Sequence, residues 1–233
     1  QRKRASRPTP ALKESTDSLA VFSLDGTVLA TNIVQQYFAV VRATRPRRTW
    51  PAEIGGLLAA VPGYLRADKR DRSELIRLVN RRYKGYRSED LRALMQGEAG
   101  RRIRASIRPE ALETIERHRA AGHRTVLVSG ALDVLVEPLA DLFDEVIATH
   151  MDEDETGVMT GFLATPPLVD EARANWLRKY AAQHGADLKE SYGYGDSHAD
   201  AAWLDLVGTP AAVSPDLGLY SVAKKKRWQI LEW

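Results

Sequence analysis

The first apolar run of the chain is Leu19-Ala20-Val21-Phe22-Ser23-Leu24, and it stops at Asp25-Gly26-Thr27. A short apolar run without alternation, closed by turn formers, is the pattern of a parallel strand covered on both faces. The period then changes: Ile33, Val34, Tyr37, Val40 and Val41 recur at helical spacing. Further helices are predicted over residues 52–60, 72–83 and 88–103, the last with Ser88 as its N-cap. No strand pattern interrupts them, so residues 32–105 are predicted to be an all-helical insertion behind the first strand.

Beyond the insertion, strands and helices alternate. Pro109 opens a helix carrying Leu112 and Ile115, Gly122 closes it, and Thr125-Val126-Leu127-Val128-Ser129 reads as the next buried strand. A helix over residues 134–142 leads to a strand over 145–149, and residues 151–163, centred on Glu155-Thr156-Gly157, predict a hairpin. A helix over 169–184 ends at Gly185, and short strands follow at 192–195 and 210–213. This order predicts an α/β fold with a mostly parallel sheet. Ligands of such sheets sit beyond the carboxyl ends of the strands, so residues just after each strand are the candidates for chemistry.

Composition narrows the classes. A chain of 233 residues holds one large α/β domain with a small insertion. Its apolar runs, such as Thr125 to Val128, fall far short of the ~20 residues that cross a bilayer. A soluble, cytoplasmic protein is expected. Cysteine is absent, which removes disulfides, thiolate metal sites and a Cys nucleophile. The net charge is only +3, but Arg2, Lys3, Arg4, Arg7 and Lys13 precede the first acid, Glu14. With Pro8 and Pro10 among them, residues 1–17 read as a basic, solvated linker. No apolar core follows to make a secretory signal, and contact of this arm with an anionic membrane is the alternative. The basic clusters at 45–48 and 224–227 lack interleaved aromatics, so nucleic acid is not the expected partner. The first residue is Gln1, which leads us to expect a piece of a longer polypeptide whose other domains are its partners.

Four post-strand positions form a set: Ser23-Leu24-Asp25-Gly26-Thr27, Ser129-Gly130, Arg173, and Gly195-Asp196-Ser197-His198-Ala199-Asp200. In this order they resemble the four motifs of haloacid-dehalogenase-type (HAD) phosphatases. The helical insertion and the closing segment 227–233 most resemble the phosphoserine-phosphatase-like subfamily, over roughly residues 18–233. The resemblance implies a Rossmann-like core of residues 18–31 and 106–233, and a helical cap of residues 32–105 that closes over the site. In that family, the first Asp of Asp-x-Asp-Gly-Thr attacks a phosphoryl group. The second Asp serves as acid and base, and Mg²⁺ offsets the charge repulsion.

Here, the nucleophile position falls on Ser23 and the acid/base on Asp25. A neutral hydroxyl needs an adjacent base, and Ser23 removes one anionic oxygen from the metal shell. The resemblance places phosphate on Ser129, on the amides of Gly130 and Ala131, and on Arg173. It places the metal on Asp196 and the backbone carbonyl of Asp25, with Asp200 behind. Magnesium is therefore expected to be weak or absent. Arg173 stands where the family has Lys, and Lys179 is the other candidate. The bland readings are a strand-end turn for Ser129 and helix capping by Asp196. His198 is expected at the surface; His118, His123, His150 and His184 share no metal-ligand spacing and are expected to be structural. Tyr64, Tyr83 and Tyr86 fit either the pocket or the core of the insertion.

Two functions are carried forward. One is a degenerate phosphatase-like domain without turnover, binding phosphate or a phosphorylated small molecule as a regulatory or scaffolding module. The subfamily resemblance extends to domains fused to lipid-metabolising enzymes, an analogy of fold only. The alternative is a Mg²⁺-dependent phosphomonoester hydrolase whose nucleophile was mutated to Ser23.

Overall fold

The computed structural model describes residues 17–70 and 72–233; the predicted basic linker lies, except for Asp17, outside them. The central sheet has six parallel strands in the order β3-β2-β1-β6-β7-β8. In chain order, β1 (Leu19–Ser23) is followed by α1 (Ile33–Thr44), α2 (Trp50–Arg70), α3 (Arg72–Asn80), α4 (Ser88–Gln96) and α5 (Glu98–Ala105). Next come α6 (Pro109–Ala120), β2 (Arg124–Leu132), α7 (Asp133–Val136) and β3 (Glu145–Thr149), then the antiparallel hairpin β4 (Met151–Glu153) and β5 (Met159–Leu163). The chain closes with α8 (Asp170–His184), β6 (Tyr192–Gly195), α9 (Ala201–Leu204), β7 (Thr209–Val213), α10 (Leu217–Lys226) and β8 (Gln229–Leu231). The α/β architecture with a mostly parallel sheet is as expected. No helix of the described residues is long and apolar enough to cross a membrane.

Side chains alternate across a strand, and that alternation explains the two buried layers. Ala20 and Phe22 of β1 join Leu127, Ile115 and Tyr194 on one face, while Leu19 and Val21 join Val126, Val128, Leu177 and Trp203 on the other. Ser23 continues the second series, so its hydroxyl points to the side where α8 lies. β1 pairs with β2 and β6 and sits at the centre of the sheet, which brings the loops after all three strands to one edge.

The helices between β1 and β2 pack their own core. Tyr37, Val40, Val79, Tyr83 and Leu91 close on one another and on Met151 and Met159 of the hairpin. The hairpin is tied to them through the backbone, with Gly85 N–H donating to the Met159 carbonyl and Met159 N–H to the Tyr86 carbonyl. Several boundaries differ from expectation. The helix predicted over 88–103 breaks at Gly97, and Ser88 is not its cap: Arg87 holds that place, and the Ser88 hydroxyl donates to Glu153 of the hairpin at 2.9 Å. Residues 137–142 wind as a 3-10 helix after α7, because Pro138 has no N–H for an α-helical bond. The edge strand β8 was not anticipated.

One polar cluster is sealed in the core. His118 and His123 are both buried. Their Nδ1 atoms lie 2.7 Å apart, and His118 Nε2 lies 2.8 Å from the Tyr194 hydroxyl. Burial, with His123 and Arg117 adding to it, pushes the His118 imidazole down to about 3. The unfolded chain, whose histidine titrates near 6.5, therefore takes up more protons than the native state between those two values. Stability from this site is full above about pH 6.5 and is lost as pH falls toward 3. Urea unfolding of the protein and of His118→Gln should diverge by up to ~1.4 kcal/mol per pH unit across that window. Parallel pH profiles would contradict a neutral, buried His118.

Candidate active site

Ser23, Ser129-Gly130 and Asp196 lie on β1, on β2 and just after β6, the three central strands, and line one cavity of ≈ 40 Å³ with Asp25, Arg173 and Asp200. All seven residues singled out from the sequence thus meet. Ile33, Leu75, Ile76 and Val169 form apolar walls around them.

The cavity is organised by a buried ion pair. Arg173 Nη1 donates to Asp200 Oδ1 at 2.7 Å and reaches the Ser23 hydroxyl at 3.4 Å, while its Nε donates to the Leu168 carbonyl at 3.0 Å. Asp200 also accepts from Trp203 Nε1 at 2.9 Å and from the amides of Asp196 and Ser197 at 3.1 and 3.2 Å. Asp200 is therefore spent on holding Arg173 and shaping the loop that carries Asp196. Burial pulls Arg173 below its ordinary value and Asp200 opposes this; a guanidinium stays cationic regardless. Lys179, the other candidate for this cation, is exposed.

Two further carboxylates, Asp25 and Asp196, face the cavity. Burial raises Asp25 to about 7 against the pull of Arg72, Arg173 and a 2.6 Å hydrogen bond from Gln36 Nε2. Asp196 is raised to about 7 by burial and by Asp200, against Arg72; the Thr27 hydroxyl donates to its Oδ1 at 3.3 Å. Asp25 keeps some surface toward the cavity, so part of this penalty is screened by water. Gly26 explains the turn between them. Its φ is +73°, and a Cβ there would lie 2.1 Å from Asp196 Oδ2, so no other residue fits.

The Ser129-Gly130 turn departs from expectation in one respect. The Ala131 amide donates to Ser129 Oγ at 3.0 Å, so it is engaged locally rather than offered to an anion. Ile76 of α3 presses on Gly130, where a Cβ would meet its Cδ1 at 2.4 Å, and Asn80 Nδ2 donates to the Gly130 carbonyl at 3.2 Å. Two contributors were missed, Arg72 and Gln36, while Thr27 belongs to the first motif and its bond to Asp196 was not anticipated. Arg72 had no signal to lift it from the insertion's many arginines, since only the packing of α3 brings it to the cavity. His198 is exposed, His150 bonds Asp133 at 3.1 Å, and Tyr64, Tyr83 and Tyr86 pack in or against the insertion's core rather than the cavity.

Among the described residues, no three His, Asp or Glu side chains converge as a metal site. Asp200 is committed to Arg173, which leaves Asp25 and Asp196 as the carboxylates facing the cavity. Asp196 and the backbone carbonyl of Asp25, with Asp200 behind, are the groups that would hold a divalent ion here.

A central parallel sheet thus carries acids beyond the tips of β1 and β6. Residues 20–205 match the haloacid dehalogenase-like hydrolase family, and the chain belongs to it. It is 39% identical over 132 residues to the inhibition of morphological differentiation protein of Streptomyces azureus, covering 54% of this chain and 46% of that protein. It is 29% identical over 153 residues to a histidinol-phosphatase of Neisseria meningitidis, covering 64% and 69%. A probable phosphatase of Mycobacterium tuberculosis is 32% identical over 126 residues, covering 53% and 43%. The chain thus spans about half the length of two of these relatives. Among solved structures, a Bordetella pertussis protein of unknown function superposes with a TM-score of 0.75 at 24% identity, covering 93% of this chain and 99% of its own. Apo phosphoserine phosphatase gives 0.67 at 20%, covering 93% of both. At these identities, the structures attest the fold.

The raised carboxylates yield a prediction. A carboxyl held at about 7 in the fold and 3.8 in the unfolded chain binds its proton more tightly when folded. Its contribution is favourable below pH 3.8 and is lost as pH rises through 7. Asp25→Asn should therefore stabilise the protein at pH 8 by about 1–3 kcal/mol and change little at pH 4. Thermal melts at both pH values check this, and destabilisation at pH 8 would show that Asp25 is held as a paired carboxylate.

Proposed function

We propose that this domain binds phosphate, or the phosphate of a small phosphorylated molecule, and does not turn it over by the covalent route of its family. The observation that carries this reading is the setting of Ser23. Its hydroxyl faces the Arg173 guanidinium at 3.4 Å, a group that donates hydrogen bonds and cannot accept a proton. A hydroxyl activated for attack needs a base at that place. Arg173, Arg72, the Ser129 hydroxyl and the Gly130 amide are the cationic and polar groups for the anion. Asp196 and the Asp25 carbonyl, with Asp200 behind, are where Mg²⁺ would be held weakly, supplying positive charge against the phosphoryl oxygens when bound. In this reading, the domain is a regulatory or scaffolding module of a longer, lipid-metabolising polypeptide, and Ser23 is the natural replacement of the family's aspartate.

A second reading has specific support. A histidinol-phosphatase and a probable phosphatase stand among the relatives, and Asp25 is raised to about 7, where a group exchanges protons most effectively at neutral pH. The chain would then be a Mg²⁺-dependent phosphomonoester hydrolase in which Ser23 replaces a working aspartate.

Two measurements separate these. Millimolar phosphate should raise the melting temperature, by the stabilisation that any ligand of the native state gives, and Arg173→Met should abolish the effect. No shift in the unaltered protein would rule out anion binding. Assayed on a panel of phosphomonoesters with Mg²⁺, the protein should stay well below ~1 s⁻¹, the lower end for competent enzymes. Ser23→Asp should restore Mg²⁺ binding with little activity, and Ser23→Asp with Arg173→Lys should do better, because the cation must sit against the phosphoryl oxygens to within about 1 Å. Full activity from Ser23→Asp alone would establish the second reading instead.

A further inference from the structure

The long helix α2 buries one side and leaves the other uncovered. Leu57, Tyr64 and Ala67 are buried, whereas Ile54 (39% exposed), Leu58 (66%) and Val61 (40%) lie on the adjoining, uncovered flank. Their spacing of four and three residues places them in one row. Pro51, Ala52, Gly55, Gly56, Ala59, Pro62 and Gly63 are also exposed, so the outward surface of residues 51–63 is apolar or bare backbone. A Cβ at Gly55 or Gly63 would meet nothing within 4 Å. The one acid in this stretch, Glu53, is only partly exposed and accepts a 3.4 Å hydrogen bond from the Tyr37 hydroxyl.

Positive charge lies at both ends of the row. Arg42, Arg45, Arg47 and Arg48 are exposed before the helix, and the guanidiniums of Arg42 and Arg47 lie over the Trp50 ring at 5.3 and 5.8 Å. Arg66 is exposed beyond the far end of the row. An apolar strip with a tryptophan at one end and cations at both ends matches a surface that is apolar within and anionic at its rim. A second copy of the chain fits poorly: any pairing of α2 with itself sets cationic ends against cationic ends, which is unfavourable. Nucleic acid would leave the apolar strip facing phosphates.

We propose that the exposed face of α2 docks on an anionic phospholipid bilayer, with Ile54, Leu58 and Val61 entering the interface and the flanking arginines on lipid phosphates. The helix would lie flat on the membrane rather than cross it. This surface is separate from the phosphate cavity, and the proposal stands whichever reading of Ser23 holds.

Co-sedimentation of the full chain with two vesicle types tests it: phosphatidylcholine alone, and phosphatidylcholine with about a third phosphatidylglycerol. Binding is expected only to the anionic vesicles. Leu58→Asp should weaken partitioning by about tenfold or more, and the triple change Arg45→Gln, Arg47→Gln, Arg48→Gln should weaken it as well. Phe162→Asp, at an exposed apolar residue on β5, should leave it unchanged. Leu58→Gln serves as a milder variant, with circular dichroism confirming that each folds. Absence of binding to anionic vesicles would overturn the proposal. So would binding that ignores the substitutions at Leu58, the result expected if the basic residues 2–13 act alone. A dimer in sedimentation velocity that Leu58→Asp dissociates, without vesicle binding, would assign the face to a second copy.

Discussion

The Arg173–Asp200 ion pair is the constraint around which the site is built. Both side chains are withdrawn from water, and a charge in that position is tolerated only when paired and hydrogen-bonded. Asp200 meets that demand with the guanidinium, an indole N–H and two amides. The pair thereby joins α8 to the loop after β6 and fixes where Asp196 can stand. Removing one partner would strand the other, at a cost of about 3–5 kcal/mol for such pairs. The long reach of Arg173 also brings its second contact, the Ser23 hydroxyl, into the same network.

Charge balance follows from this arrangement. Asp25, Asp196 and Asp200 face two cations, Arg72 and Arg173. Burial raises the affinity of Asp25 and Asp196 for protons, and Asp200 adds to it at Asp196. An aspartate at position 23 would add a further negative charge to a cavity already short of cations, and would call for a metal ion to balance it. Serine avoids that demand. α3 completes the enclosure, since Ile76 and Asn80 rest on Gly130 while Arg72 adds charge.

Much of this was legible in the residues. Apolar runs closed by turn formers located β1, β2 and β6, and the post-strand motifs named Ser23, Asp25, Ser129, Arg173, Asp196 and Asp200 before any geometry was known. Period-two alternation accounts for why Ser23 meets α8, although that contact itself required the sheet order. Part of what escaped depended on contacts distant in sequence. Arg72 reaches the cavity only because α3 folds over β2. Ala131 loses its amide to the neighbouring Ser129 hydroxyl, a local bond that a motif does not encode. Ser88 fits an N-cap by sequence, yet the hairpin's Glu153 claims its hydroxyl. β8 is only three residues long and was too short to stand out from the polar segment around it.

The central claim is that the cavity holds an intact phosphate group and that Ser23 takes no covalent part. A crystal structure of the protein grown with a phosphomonoester and Mg²⁺ tests it most directly. Density for the anion is expected against Arg173, Ser129 and the Gly130 amide, with an unmodified Ser23 side chain. A phosphoryl group bonded to Ser23 Oγ, or an anion seated elsewhere with Arg173 still closed on Ser23, would contradict it.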